Sequence, residues 1–127
     1  MSPDLLSDAT ETELVRTTRT VVGDGVRSVT YFTPDYVEQL YLRDDLEPDA
    51  DVAGFADTER LGFRSQTDYD DSELGEYTFT IRVFDHGYLT RVIHDDHGVF
   101  VTTDPLTRDH FEELAAALHE ELRALAD

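Results

Sequence analysis

Several residue types are missing from this chain, and each absence excludes a class of function. There are no Cys residues, so disulfides, thiolate metal sites and cysteine catalysis are excluded. No apolar run approaches the roughly 18 residues that a membrane helix requires, so we expect no membrane partner. The 7 Gly residues form neither a Gly-x-Gly-x-x-Gly motif nor a phosphate-binding loop. The sequence therefore indicates no cofactor.

Lysine is also missing, and the charge is strongly one-sided. All 10 basic residues are Arg, against 29 Asp and Glu, and the formal net charge is −19. Repulsion at this charge destabilises a compact chain, but molar salt screens it because the Debye length falls to about 3 Å at 1 M. Disordered acidic chains are poor in aromatic and apolar residues, whereas this chain has 10% aromatic and 39% hydrophobic residues. We interpret it as a folded, halophilic protein of a salt-loaded cytoplasm.

The length fits a single domain. A chain of 127 residues suffices for one hydrophobic core, so we predict one domain over residues 1–127, with a flexible N-terminal segment over residues 1–9. The first residues contain no basic region and no long apolar stretch, so they do not resemble a signal peptide. We therefore expect a cytoplasmic protein.

Hydrophobic periodicity and turn residues predict eight secondary-structure elements. The first helix has Thr10 and Glu13 as a capping box, and the last has Thr107 as its N-cap. The predicted order is a helix at 10–22, strands at 26–32 and 36–43, a helix at 52–63, a polar loop at 64–75, strands at 76–84, 88–94 and 99–103, and a final helix with an apolar stripe of Phe111, Leu114, Ala115, Leu118, Leu122 and Leu125.

Residues 36–43 fit two structures. Their apolar residues also match a helix that starts after Thr33-Pro34. The short turn at 33–36 and the aromatic and apolar content favour the second strand of a hairpin. A helix here would change the order towards that of PAS or GAF sensor domains.

With the hairpin, the order is α-β-β-α-β-β-β-α. It predicts an α+β fold in which helices cover the faces of a five-stranded antiparallel sheet. This order resembles the roadblock/LC7 and profilin-like architecture over most of the chain. The resemblance implies a non-catalytic scaffold of the kind that attends signalling or GTPase systems.

A second resemblance lies in residues 31–46. The segment Tyr-Phe-Thr-Pro-Asp-Tyr-Val-Glu-Gln-Leu-Tyr-Leu-Arg-Asp-Asp-Leu is similar to one found in a family of small uncharacterised haloarchaeal proteins. In that family an aromatic turn precedes an apolar run and a Leu-Tyr-Leu/Val-Arg-Asp-Asp sequence. The resemblance implies a haloarchaeal source and supplies no catalytic residues.

One cluster has ligand-type residues at close spacing. His94, Asp96 and His97 lie within one predicted turn, and such residues are able to bind a divalent metal. Asp is also common in solvated turns because it bonds to its own backbone, and a closed four-ligand site is hard to assemble from the remaining His residues. We therefore favour a solvated turn and assign no metal site.

Two Arg residues lie on adjacent predicted strands. Arg82 and Arg91 are placed to bind an anion together or to form ion pairs with acids on the same sheet face, and the ion pairs are favoured. The other Arg residues are scattered and form no basic stripe, so a nucleic-acid partner is not expected.

The least acidic strand is the most informative surface. In a roadblock-like sheet the strand around Tyr77, Phe79, Ile81, Arg82 and Val83 lies at an edge, where unpaired backbone groups invite a second chain. The competing interpretation is an edge covered by the loop at 64–75. We predict a homodimer, or a docking site for another protein, in a non-catalytic regulatory module. The alternative is a small-molecule sensor or a small enzyme with a pocket between sheet and helices.

Overall fold

The computed structural model describes residues 6–46, 53–65 and 72–126. In chain order it contains helix α1 (Asp8–Val22), a 3-10 turn (Gly23–Gly25), strands β1 (Val26–Phe32) and β2 (Val37–Leu42), helices α2 (Ala53–Arg60) and α3 (Gly62–Ser65), strands β3 (Thr80–Phe84), β4 (Gly87–His94) and β5 (His97–Thr103), and helix α4 (Arg108–Ala126).

The strands form one antiparallel sheet in the order β2-β1-β5-β4-β3. The chain therefore places β2 and β3 at the two edges and β5 in the centre. The predicted α+β fold, with five antiparallel strands and helices on the sheet, is confirmed.

An apolar cluster lies on each face of the sheet, because side chains alternate between the two faces of a strand. On one face, α1 and α4 pack over Val29, Tyr31, Val92, Val99 and Val101. On the other face, α2 and α3 lie over Phe32, Leu89, Ile93 and Phe100, with Ala56 and Phe63 from the helices.

Residues 36–43 form a strand, as favoured from the sequence. The backbone N–H of Thr33 donates to the carbonyl of Tyr36 at 2.8 Å, and Pro34 and Asp35 form the turn between them. Tyr31↔Glu38 and Phe32↔Val37 are the first register pairs after the turn. The hairpin excludes the helical alternative for this segment.

The first helix begins earlier than its predicted capping box. Ser7 is the N-cap, and its hydroxyl accepts the backbone N–H of Thr10 at 3.2 Å, so Thr10 lies inside the helix. Leu6 precedes this cap and is only 2% exposed. A buried leucine and a helix cap thus connect this part of the chain to the domain, and the flexibility predicted for residues 1–9 stays a prediction.

Two further boundaries differ from prediction. The helix predicted at 52–63 is interrupted at Leu61, where α2 ends and the single turn α3 follows. Its first predicted residue, Val52, lies outside the described residues. The strand predicted from Glu76 pairs with β4 only from Thr80↔Arg91 onwards, because the Tyr77 hydroxyl instead donates to the carbonyl of Arg91 at 3.1 Å.

The last helix agrees with its sequence signal. The N–H of Phe111 donates to the carbonyl of Thr107, and the apolar stripe buries Leu114, Leu118 and Leu122 completely. The turn between β4 and β5 is tight: Asp95 and Asp96 alone form it, and Asp95 has a φ of 54°, which Asp tolerates better than most residues. Among the described residues, no helix is both long and apolar enough to cross a membrane.

Candidate interaction surface

The edge strand β3 presents large apolar side chains to solvent. Val83 is 70% exposed and Phe84 is 56% exposed, whereas Ile81 and Arg82 are half-buried. Tyr77 and Phe79, which were predicted on the same strand, precede it. The structure therefore places three of the five predicted edge residues on β3 itself.

The apolar surface continues from β3 towards α2. Phe55 of α2 and Phe84 of β3 line one groove of about 380 Å³, together with Arg27, Asp85, His86, Gly87, Tyr88, Leu89, Thr102 and Thr103. Leu61, at the junction of α2 and α3, is a further exposed apolar residue at 69%. We call Phe55 and Phe84, which line this groove, the apolar patch; Val83 is on the opposite face of the sheet, because side chains alternate along a strand.

A buried ion pair holds α2 against the sheet next to this patch. The carboxylate of Glu59 is 2% exposed and accepts hydrogen bonds from Arg91 Nη1 at 2.9 Å and from Arg82 Nε at 2.7 Å. Arg91 comes from β4 and Arg82 from β3. One carboxylate therefore ties α2 to two adjacent strands.

Arg91 is enclosed on its remaining sides. Its Nη2 donates to Thr80 Oγ1 at 2.8 Å, and its guanidinium lies 5.9 Å from the ring centre of Tyr77. A Cβ on Gly62 would overlap the guanidinium, so the absence of a side chain at Gly62 lets α3 close over the ion pair. Helix α3 and the segment that carries Tyr77 thus cover Arg91.

Arg82 and Arg91 form ion pairs with an acidic residue, as predicted, but this residue is not on the sheet. Arg82 is opposite Leu89 and Arg91 is opposite Thr80, so the two Arg residues are not directly paired across the strands. Their shared acid is on α2 rather than on the sheet. The site acts as a structural anchor, because the one Glu59 carboxylate bonds both guanidinium groups and so joins α2 to β3 and β4.

The predicted metal cluster does not assemble as a unit. Asp96 is exposed, and the Tyr31 hydroxyl and His97 Nδ1 share a hydrogen bond of 2.6 Å. His94 instead faces His119 of α4, with 3.3 Å between His94 Nδ1 and His119 Nε2. Within the described part of the chain, no three His, Asp or Glu residues converge on one metal position.

The partner of His94 has a weak signal in the sequence. His119 follows Ala115 by four residues and so shares the sheet-facing side of α4. Burial lowers the pKa of His119, and His94 and Arg123 lower it further. Burial likewise raises the pKa of Tyr31, with a smaller contribution from Glu38.

A surface charge cluster fixes the end of β2. Arg43 donates to Asp104 at 2.8 Å and to Asp45 at 2.7 Å, and Arg27 approaches Asp104 at 3.4 Å. The hydrogen bond from Arg43 lowers the pKa of both carboxyls. Arg43 therefore links β2 to the segment after β5.

A second groove lies between α1 and β2. It encloses about 600 Å³ and is lined by Glu11, Thr12, Val15, Arg16, Arg19, Thr20, Gly23, Asp24 and Leu40. Arg19 is stacked on Tyr41 at 5.1 Å. Its walls carry acids and bases together, and it lies between a helix and the sheet, which is where the alternative interpretation as a sensor places its pocket.

The fold is that of known roadblock-type proteins. Myxococcus xanthus MglB superimposes with a TM-score of 0.60 at 9% identity, covering 94% of this chain and 95% of that one. A structure described as MglB with tetrameric arrangement gives a TM-score of 0.60 at 13% identity, covering 98% and 99%. The predicted roadblock/LC7-like architecture is confirmed by these likenesses.

The family follows from the sequence itself. Residues 12–123 match the model of a domain of unknown function, DUF7522, and the chain belongs to this family. No curated protein gives a significant match.

Glu59→Gln tests the anchor. The substitution leaves Arg91 buried without its counter-charge, and breaking a buried pair in this way costs about 3–5 kcal/mol. Urea unfolding in molar salt measures the loss. Asp57→Asn is the matched control, because it removes one charge from the same helix at a side chain that is 81% exposed, where a pair contributes at most about 1 kcal/mol. Equal losses in both variants would contradict the anchor.

Proposed function

We propose that this protein is a non-catalytic interaction module that acts as a homodimer joined along β3. Two copies related by a twofold axis would pair their β3 strands antiparallel and extend each five-stranded sheet into the other. Such an interface is isologous, since each copy presents the same surface to the other. The interaction edge is the sequence-predicted set Tyr77, Phe79, Ile81, Arg82 and Val83, with Phe84 added by the structure.

The observation that carries this proposal is the exposed end of β3. Val83 and Phe84 are 70% and 56% exposed at an edge strand, and natural proteins normally protect such edges with charges, proline or a covering segment. Within β3 the one charged residue is Arg82, which forms an ion pair with Glu59. Residues 66–71 of the predicted covering loop at 64–75 lie outside the described residues.

Two features support a protein as the partner. The apolar patch continues from β3 onto α2 through Phe55, which gives a strand-pairing interface the buried apolar centre that stable interfaces have. One of the similar solved structures is described as an MglB in a tetrameric arrangement, so this fold is compatible with self-association. Another protein that adds a strand to β3 is the alternative partner.

Val83→Asp tests the interface. Analytical ultracentrifugation in molar salt should show a dimer for the wild type, and the variant should raise the dimer dissociation constant roughly tenfold or more, because association would bury a carboxylate in an apolar contact. Thr12→Asp adds the same charge at an exposed position of α1 and should leave the constant unchanged. A wild type that sediments as a monomer at all concentrations would contradict the proposal.

We further propose that the protein is halophilic and cytoplasmic, and that it comes from a haloarchaeon. The net charge of −19 without any Lys supports a salt-loaded environment. Among the described residues Glu59 is the single buried acid, so the other described acids remain in contact with solvent and ions. Screening at molar salt is therefore a condition of stability in this proposal.

Removal of salt tests this environment. Dialysis to about 10 mM salt extends the Debye length to roughly 30 Å, so acidic side chains across the whole domain repel one another. We expect the loss of cooperative melting and a reduced helical signal by circular dichroism, with recovery when molar KCl is restored. Full helical signal and an unchanged melting temperature in dilute buffer would contradict a role of salt in stability.

The alternative function is a small-molecule sensor. The groove between α1 and β2, at about 600 Å³, lies within the size range of ligand sites. Its mixed charges favour it less than the exposed β3 edge. A ligand retained by the purified protein, combined with a strictly monomeric state, would favour the sensor over the dimer.

A further inference from the structure

Two histidines from distant parts of the chain meet on the face of the sheet that α1 and α4 cover. His94 is the last residue of β4, and His119 lies in the C-terminal half of α4. Their ring centres are 5.2 Å apart and the rings are inclined at 60°, so the imidazoles are not stacked. His94 Nδ1 and His119 Nε2 face each other at 3.3 Å.

This separation matches the spacing of two ligands on one tetrahedral ion. With Zn–N bonds of about 2.05 Å and tetrahedral angles, two coordinating nitrogens lie about 3.3 Å apart. A zinc ion between the two nitrogens therefore requires no movement of either nitrogen towards the other. Imidazole nitrogens are also among the preferred donors for Zn²⁺, Ni²⁺ and Cu²⁺.

The two facing nitrogens share a hydrogen bond, which a bound metal ion would replace, and the surroundings of His94 favour a lone pair on its Nδ1. Asp95 Oδ2 lies 3.7 Å from His94 Nε2, so its negative charge favours the tautomer that carries the proton on Nε2. The lone pair then lies on Nδ1, the atom that faces His119. Carboxylates near the second nitrogen of a ligand histidine orient metal sites in this manner.

The positive charge of Arg123 near His119 is paired with a carboxylate. Arg123 lies close enough to lower the pKa of His119, but its guanidinium is paired with Glu120 at 3.3 Å. Burial also lowers the pKa of His119. The side chain of His94 is 31% exposed, so an ion has access from solvent.

We propose that His94 and His119 form a two-histidine site for a divalent transition metal, with Zn²⁺ as the best geometric match and water completing its coordination. The bound ion would connect the β4–β5 turn to α4. A metal that binds the folded state alone stabilises it by mass action, so occupancy of this site would stiffen the end of the sheet opposite the β3–β4 turn.

Histidine-ring NMR during a ZnCl₂ titration tests the site directly. The experiment uses the full chain in molar KCl with excess Mg²⁺, because Mg²⁺ prefers oxygen ligands and occupies the many surface carboxylates. We expect saturable binding of one Zn²⁺ per chain, with changes confined to the ring signals of His94 and His119. Calorimetry gives the affinity on the same samples.

Variants separate this pair from the other histidines. His94→Gln and His119→Gln should each weaken Zn²⁺ binding at least tenfold, while Asp95→Asn should weaken it less. His86→Gln changes an exposed histidine in the β3–β4 turn and is the matched control, with no expected change. Absence of saturable binding in the wild type, or binding that survives both His94→Gln and His119→Gln, would overturn the proposal.

Discussion

The buried ion pair between Glu59 and Arg91 is the interaction on which the surface of this domain depends. Helix α2 has 8 residues, too few to be stable on its own, and its apolar contacts with the sheet come mainly from Ala56 and the following Phe63. Apolar contacts alone allow such a short helix to slide, whereas a carboxylate bonded to two strands fixes its position. The anchor thereby sets the position of Phe55 relative to Phe84, and with it the groove beside β3.

The acidic residues and the apolar patch occupy different parts of the surface of this domain. Acids dominate the solvent-facing positions, where they hold water and salt, and the single buried acid among the described residues serves packing. At the end of β3 the large apolar side chains of Val83 and Phe84 remain exposed. In molar salt the repulsion between two such molecules is screened, which would leave the apolar patch as the main determinant of the proposed association.

The sequence predicted the fold because its signals were local and repeated. The alternation in β3 and β4, the turns between strands and the stripe on α4 each depend on neighbouring residues, and together they predict the order of the elements along the chain. The contacts that define the site are different in kind. Nothing local pairs Glu59 with Arg91 across 32 residues, or His94 with His119 across 25. Glu59 resembled the other acids of a highly acidic chain, and only the packing of α2 on the sheet distinguishes it. The early start of α1 was missed because Thr10 and Glu13 offered a plausible cap inside a helix that Ser7 already capped.

The central claim is that β3 is a pairing edge, and amide hydrogen exchange of the wild type in molar salt tests it most directly. In the dimer, the β3 amides that point away from β4 should exchange as slowly as those bonded to β4. Strand β2 is the internal comparison, because it is the other edge of the same sheet and its outward amides should exchange rapidly. Rapid exchange of the outward amides on both edges, at concentrations where a dimer is expected, would contradict the account.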